Sequence, residues 1–118
     1  MDLGLAIQKH AEWKYKFRAA MSASEPMDAA AISKDNCCEV GKWLHGEAKD
    51  LHGHLASHAK CVAAHAAFHA EAGKVAAVIN AKKNDEAEHM LGAGTPYAEA
   101  SRKVGVAFIE LKNDLENR

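Results

Sequence analysis

Apolar residues recur at steps of three and four along most of the chain, which is the spacing of one face of an α-helix. In the first segment, from about Asp2 to Ser22, this seam consists of Leu3, Ile7, His10, Trp13, Phe17 and Met21. No segment alternates apolar and polar residues for long enough to form a strand. Since alanine is frequent and only two residues are proline, the sequence predicts an all-α fold.

Capping and turn signals divide the middle of the chain into two helices. A short helix is expected to start near Asp35 or Asn36, either of which can cap it, and to carry Cys38 in its first turn. The longest helix is predicted from about Asp50 to Lys83, where two glycines interrupt the pattern without ending it.

Two more helices follow towards the end of the chain. A short one opens at Asn84, and a last one starts with Thr95 as its N-cap and Pro96 in its first turn. We therefore expect a four-helix, mainly antiparallel bundle with a short extra helix carrying the cysteine, formed by residues 1–118 as one domain.

Charge and cysteine content limit the class of protein. The 15 basic and 16 acidic residues are mixed along the chain. Because they form no basic stripe, we do not expect nucleic acid as a partner. No apolar run approaches the ~18 residues of a membrane span, and the first residues do not resemble a signal peptide. Three cysteines do not make a disulfide framework. We therefore expect a cytoplasmic location, reduced thiols and no membrane association.

Histidine is unusually frequent, with eight residues of which five lie between His52 and His69. His65 and His69 are four residues apart on the long helix, so both rings project from one face. Zinc takes four ligands in tetrahedral geometry, so two more must come from other helices. His10 lies on the apolar seam, and Cys38 lies where the helix dipole favours a thiolate. The predicted zinc ligands are His10, Cys38, His65 and His69.

A second pair of histidines competes for the same role. His54 and His58 are also four residues apart, and Cys61 falls on nearly the same stripe. This pair is closer to a helix end, where histidines are easily solvated. His10 and His65 are near the middle of their helices and should lie at one level of a bundle. Taken singly, a histidine pair at this spacing is more often solvated surface, and residues such as His10 and Cys38 are more often ordinary core. Only the combination indicates a metal.

The spacing of these residues resembles the chemoreceptor zinc-binding (CZB) domain family. Its pattern is His-x-x-Trp, then Cys-x-Leu-Gly-x-Trp, then His-x-x-x-His. The corresponding segments are HAEW at 10–13, CEVGKW at 38–43 and HAAFH at 65–69, and the segment 95–101 also resembles the last helix of the family.

Two departures from the family pattern concern the cysteine segment. Val40 replaces the commoner leucine, and Cys37 precedes the matching cysteine. Gly41 and Trp43 fix the register on Cys38, with Cys37 as the alternative ligand.

The resemblance implies a three-histidine, one-cysteine zinc site in a helical bundle. Such domains are attached to bacterial cytosolic chemoreceptors and diguanylate cyclases, usually as homodimers. They are linked to sensing of zinc and of oxidants such as hypochlorous acid through the zinc-bound cysteine. By resemblance, Cys38 is the redox-sensing residue, and the partner is a signalling output domain in the same chain or in another one.

No further pattern indicates catalysis. Four protein ligands leave no open position for a catalytic water, and no phosphate loop or catalytic triad is present. We therefore predict no catalytic residues, no cofactor besides zinc and no enzyme activity.

One alternative function is a di-iron or oxygen-binding bundle. Such a bundle needs paired Glu-x-x-His motifs, whereas the chain has Glu86-x-x-His89 alone. Another is a structural dimerisation bundle that binds zinc incidentally.

Apolar content also bears on oligomeric state. Four residues supply more apolar surface than a thin bundle is expected to cover, namely Val75, Ile79, Val104 and Phe108. Together with the resemblance, they predict a homodimer.

Overall fold

The structure, a computed structural model, describes residues 1–117. Its helices are α1 (Leu3–Ala11), α2 (Trp13–Ala23), α3 (Ala29–Ile32), α4 (Glu39–His45), α5 (Glu47–His52), α6 (Ala56–Asn80), α7 (Asn84–Met90) and α8 (Pro96–Glu116). No strand occurs among these residues. The all-α fold predicted from the periodicity is confirmed, including the short helix next to Cys38.

The first predicted segment forms two helices in direct succession. Asp2 caps α1, because its Oδ1 accepts a hydrogen bond from the backbone N–H of Leu5 at 3.0 Å. Glu12 separates α1 from α2 but keeps helical backbone angles of φ −72° and ψ −13°. His10 on α1 and Phe17 on α2 are therefore seven residues apart on one buried face.

The long helix predicted from about Asp50 to Lys83 is divided in two, which is a correction to the sequence analysis. α5 ends at His52, and Gly53 follows it. Leu55 has an extended backbone with φ −81° and ψ 134°, and α6 begins after it. The glycine predicted to be a tolerated interruption is thus the point where the helix ends, since glycine weakens a helix interior.

The predicted cap of the last helix is correct. The Oγ1 of Thr95 accepts a hydrogen bond from the backbone N–H of Ala98 at 3.2 Å, and Pro96 is the first residue of α8.

Aromatic contacts define how the long helices run. The ring centroids of His10 and Phe108 are 5.1 Å apart, and those of Phe17 and Tyr97 are 5.9 Å apart. From the first contact to the second, residue numbers increase in the first segment and decrease in α8. The helix α8 is therefore antiparallel to α1 and α2. The ring centroids of Phe68 and Tyr97 are 5.7 Å apart, and those of His65 and Phe108 are 6.1 Å apart. The order of these contacts shows that α8 is also antiparallel to α6.

The core fills the space between α1, α2, α6 and α8. Its largest fully buried apolar side chains are Phe17, Phe68, Phe108, Leu44, Leu91 and Leu111. The four residues taken as evidence of a dimer, Val75, Ile79, Val104 and Phe108, are all buried within the chain. These four side chains therefore do not form the dimer surface that the sequence indicated, because they are covered within the chain. None of the described helices is both long and apolar enough to cross a membrane.

Candidate metal centre

Four side chains from three helices converge at one point of the core. α1 supplies His10, α6 supplies His65 and His69, and Cys38 stands at the start of α4. One potential ligand atom of each lies within 4.8 Å of every other. Among the described residues this is the one grouping of three or more histidine, cysteine or carboxylate side chains with that property. The structure therefore brings together all four residues predicted from the sequence.

The distances within this cluster fit a tetrahedral ion. The Cys38 Sγ lies 3.3 Å from Nε2 of His65 and 3.6 Å from Nε2 of His69. It lies 4.0 Å from Nε2 of His10, and Nε2 of His65 is 3.2 and 3.1 Å from the corresponding atoms of His10 and His69. Zinc bonds of about 2.0–2.1 Å to nitrogen and 2.3 Å to sulfur would place tetrahedral ligand atoms about 3.3–3.6 Å apart. The donor set and its spacing suit Zn²⁺.

Backbone carbonyls fix the orientation of two of the rings. Nδ1 of His10 donates to the carbonyl of Ala6 at 2.8 Å, and Nδ1 of His69 donates to the carbonyl of Ile32 at 2.8 Å. A carbonyl only accepts, so each Nδ1 carries the hydrogen and each neutral ring turns an Nε2 lone pair towards the cluster. Nδ1 of His65 is buried without a hydrogen-bond partner among residues 1–117, so packing and the cluster alone hold that ring.

Burial keeps the three rings neutral. It lowers the pKa of His10 to about 4 and that of His65 to about 3, and it also lowers the pKa of His69. Neutral imidazole is the form that binds metal. The Nε2 lone pairs of His10 and His69, the Nε2 atom of His65 and the Cys38 sulfur then face one another in an apolar setting, with the rings of Phe68 and Phe108 against His10. A cation is the partner that satisfies all four atoms together.

The sequence places Cys38 in the first turn of α4, but in the structure it is the N-cap of this helix. Its Sγ accepts a hydrogen bond from the backbone N–H of Gly41 at 3.4 Å, and neither Asp35 nor Asn36 caps the helix. Burial raises the pKa of the Cys38 thiol, although backbone N–H groups oppose this effect. The expected preference for thiolate at a helix start is therefore outweighed by desolvation, and a bound cation is what would stabilise the thiolate.

The turn before Cys38 is held against α4. Oδ2 of Asp35 lies 2.7 Å from Nε2 of His45 at the end of α4. Burial raises the pKa of Asp35, but the hydrogen bond and charge of His45 outweigh this and hold it below its usual value. The pair closes the turn over the helix and so positions Cys38.

The short helix α3 is a part of the site that sequence reasoning missed. Its Ile32 carbonyl holds His69, and its neighbour Ser33 packs against Gly73 on α6, where an added Cβ would lie 2.5 Å from the Ser33 Cβ. Gly73 is a visible signal in the sequence, since a glycine inside a helix often marks close approach of another backbone. The identity of the approaching residue is not readable from sequence.

The competing histidine pair does not form a site. His54 is exposed, whereas His58 is buried and its Nε2 donates to the carbonyl of Leu44 at 2.9 Å. The expectation that both are solvated is therefore wrong for His58, which joins α6 to α4. Cys61 is fully buried, and burial raises its pKa to about 12. Glu86 and His89, the single motif of a di-iron site, are both exposed on α7.

A groove leads from the surface to two of the clustered residues. It has a volume of about 400 Å³, and His10 and Cys38 are among its lining residues. Leu5, Trp13 and Val40 contribute apolar walls. Trp13 also packs on the core, and because Cys38 lines the groove, its side chain borders space that a small solute can occupy.

Comparison with protein families agrees with this geometry. A family model described as the chemoreceptor zinc-binding domain matches residues 10–76, which is more than half of the 118 residues. Searches of curated proteins and of solved structures gave no match.

Proposed function

The chain belongs to the chemoreceptor zinc-binding domain family, and on that basis we propose that His10, Cys38, His65 and His69 hold one zinc ion that controls a bacterial signalling protein. The family is a zinc-binding regulatory one and not a catalytic one. The observation that carries the ligand assignment is the convergence of three Nε2 atoms and one Sγ within 4.8 Å. Four protein ligands form a closed site, which favours regulation over catalysis by a metal-bound water.

We propose residues 1–118 as one sensory domain in the cytoplasm, acting without enzyme activity of its own. Its output is a chemoreceptor or a diguanylate cyclase, in the same chain or in another. The input is zinc itself or an oxidant such as hypochlorous acid that attacks the zinc-bound sulfur of Cys38. The groove that Cys38 lines supports an oxidant signal, since it brings a small solute next to this side chain.

The ion would connect three helices. His10 lies on α1, Cys38 precedes α4, and the other two ligands lie on α6. Losing the sulfur ligand would remove the metal link between α4 and the other two helices, which is how a change at Cys38 could reach the rest of the protein. This coupling distinguishes a sensor from a scaffold that binds zinc incidentally.

The ligand assignment is tested by competition with a chromogenic zinc chelator. Alanine at His65 should reduce zinc affinity by orders of magnitude, and alanine at His10 or His69 should act in the same direction. His54→Ala is the matched control, because it removes an exposed histidine outside the cluster. Equal zinc affinity in His65→Ala and His54→Ala would contradict the assignment.

The signalling role is tested in cells that carry the His65 substitution in the chromosomal gene. The response to zinc or hypochlorous acid, read as swimming behaviour or as the cyclic di-GMP level, should disappear. Responses equal to those of the unmodified strain in both assays would contradict the proposal.

A further inference from the structure

Cys37 stands next to Cys38 but takes no part in the cluster. Its side chain is exposed, and its Sγ lies 3.7 Å from Oδ1 of Asn36, in the turn between α3 and α4. We propose that Cys37 is the resolving thiol of Cys38, so that oxidation joins the two neighbouring residues in a disulfide. This inference rests on the assignment of Cys38 as a zinc ligand in the proposed function.

The chemistry requires a two-electron oxidant of the hypohalous acid class. The Cys38 thiolate attacks the halogen, so that a sulfur–halogen bond forms, the oxygen–halogen bond breaks and hydroxide leaves. The Cys37 sulfur then attacks the Cys38 sulfur, the disulfide bond forms and halide leaves. The proton of the Cys37 thiol combines with the hydroxide to give water. Each sulfur has lost one electron, and the halogen has gained two.

Position makes Cys37 the thiol that reacts second. Neighbouring Cα atoms are about 3.8 Å apart, so the Cys37 thiol stays at high effective concentration beside the oxidised sulfur. Because the Cys37 side chain is exposed and does not pack in the core, it can change rotamer to reach the Cys38 sulfur. The remaining thiol, Cys61, is fully buried in α6 and is not available for this reaction.

A disulfide between neighbours is suited to a reversible signal. Disulfides usually span Cα separations of about 4.4–6.8 Å, so a bond across about 3.8 Å is strained and readily reduced. It also traps the oxidised Cys38 before further oxidant can take it to the irreversible sulfinic acid. Cys37 therefore converts a damaging oxidation into one that thiols reverse.

The bond would change the structure at two points. The Cys38 Sγ now faces the three histidines and accepts the N–H of Gly41. Joined to the exposed Cys37, it leaves the histidines, so the thiolate ligand is lost. The same movement removes the side-chain cap of α4, which weakens the first turn of that helix. One oxidation thus loosens both the metal site and the helix that carries Trp43 and Leu44.

The test uses the zinc-loaded full chain treated with one equivalent of hypochlorous acid. Trypsin cleavage after Lys34 and Lys42 yields residues 35–42, which contain both cysteines and no methionine. We expect this peptide to be lighter by ~2 Da, the mass of the two hydrogens lost in a disulfide, with zinc released to a chromogenic chelator and rebound after treatment with a thiol reductant.

The variant Cys37→Ser should bind zinc normally before treatment and should give no lighter peptide. Its Cys38 should instead accumulate the sulfinic and sulfonic acids, and a thiol reductant should restore less than a tenth of the zinc binding. Cys61→Ser is the control and should behave like the unmodified chain. The inference is overturned if the lighter peptide is missing from the unmodified chain, if Cys37 links two chains instead, or if Cys37→Ser recovers fully. Zinc binding measured before oxidant is added tests the proposed function separately.

Discussion

A Cβ atom on Gly41 would lie 1.8 Å from the carbonyl oxygen of Asp35. The absence of a side chain there lets the turn that carries Cys38 close against α4. The same position faces the metal centre, since the added atom would also lie 3.1 Å from Cε1 of His65. Gly41 therefore sets the distance between the turn, the helix and a proposed ligand.

Replacing Gly41 by alanine should displace the turn and the His65 ring together. We expect the free energy of unfolding to fall by about 1–3 kcal/mol, as for other overpacked sites, and zinc affinity to fall with it. The measurements are urea unfolding and chelator competition. Gly105→Ala is the matched control, because nothing lies within 4 Å of an added Cβ on this α8 residue. Gly105→Ala should keep zinc affinity unchanged, and its free energy of unfolding should rise by up to about 1 kcal/mol. Equal changes in stability and zinc affinity in the two variants would refute the role of Gly41.

Gly73→Ala should act on zinc through α3. The added Cβ would lie 2.5 Å from the Ser33 Cβ and would push away the Ile32 carbonyl that orients His69. Loss of such a second hydrogen bond to a ligand histidine typically lowers metal affinity about 10–100-fold. Chelator competition measures this change, again with Gly105→Ala as control. Unchanged affinity would mean that the Ile32 carbonyl does not position the ring.

The zinc-free protein should lose stability in mild acid. Burial lowers the pKa of His10 to about 4 and of His65 to about 3, below the usual value of 6.5. The unfolded chain therefore binds more protons once the pH falls below about 6.5, and stability decreases by about 1.4 kcal/mol per pH unit for each histidine until its folded pKa is reached. Urea unfolding at pH 7, 6 and 5 tests this, and His65→Asn should reduce the slope. A flat profile between pH 7 and 5 in the zinc-free protein would contradict it.

The homodimer predicted from the family resemblance needs an apolar surface other than Val75, Ile79, Val104 and Phe108, which are buried within the chain. Val106 and Ile109 are 44% and 48% exposed and lie three residues apart on α8, so they share one face. Ile109→Glu should place a charge in this face and shift the protein to monomer in sedimentation at tens of micromolar. Ala70→Glu, at an exposed position of α6, should leave the dimer intact. A monomeric unmodified protein would refute the dimer, and a dimer in Ile109→Glu would refute the interface.

Periodicity and spacing predicted most of the helices and the four residues that cluster in the core, because both depend on residues that face the core. His10, His65 and His69 replace apolar residues on the buried faces of their helices, and a pattern of three and four residues makes that visible. The cap at Thr95 was readable for a similar reason, since capping depends on a few neighbouring residues.

What could not be predicted depends on contacts between distant segments. The Ile32 carbonyl accepts a hydrogen bond from His69 because Ser33, next to α3, packs on Gly73. No local sequence pattern indicates which backbone carbonyl will accept a hydrogen bond from a distant side chain. His58 was expected to be solvated because it is near a helix end, but the carbonyl of Leu44 meets it there. The division of the predicted long helix at Gly53 was missed because a single glycine is compatible with a helix interior.

X-ray absorption at the zinc edge tests the central claim most directly, because it counts the atoms bound to the ion. We expect one zinc per chain with three nitrogens at about 2.0–2.1 Å and one sulfur at about 2.3 Å. Cys38→Ser should lose the sulfur signal, and Cys37→Ser should keep it. A zinc ion with no sulfur or with two sulfurs, or a sulfur signal that disappears in Cys37→Ser and persists in Cys38→Ser, would contradict the proposed centre.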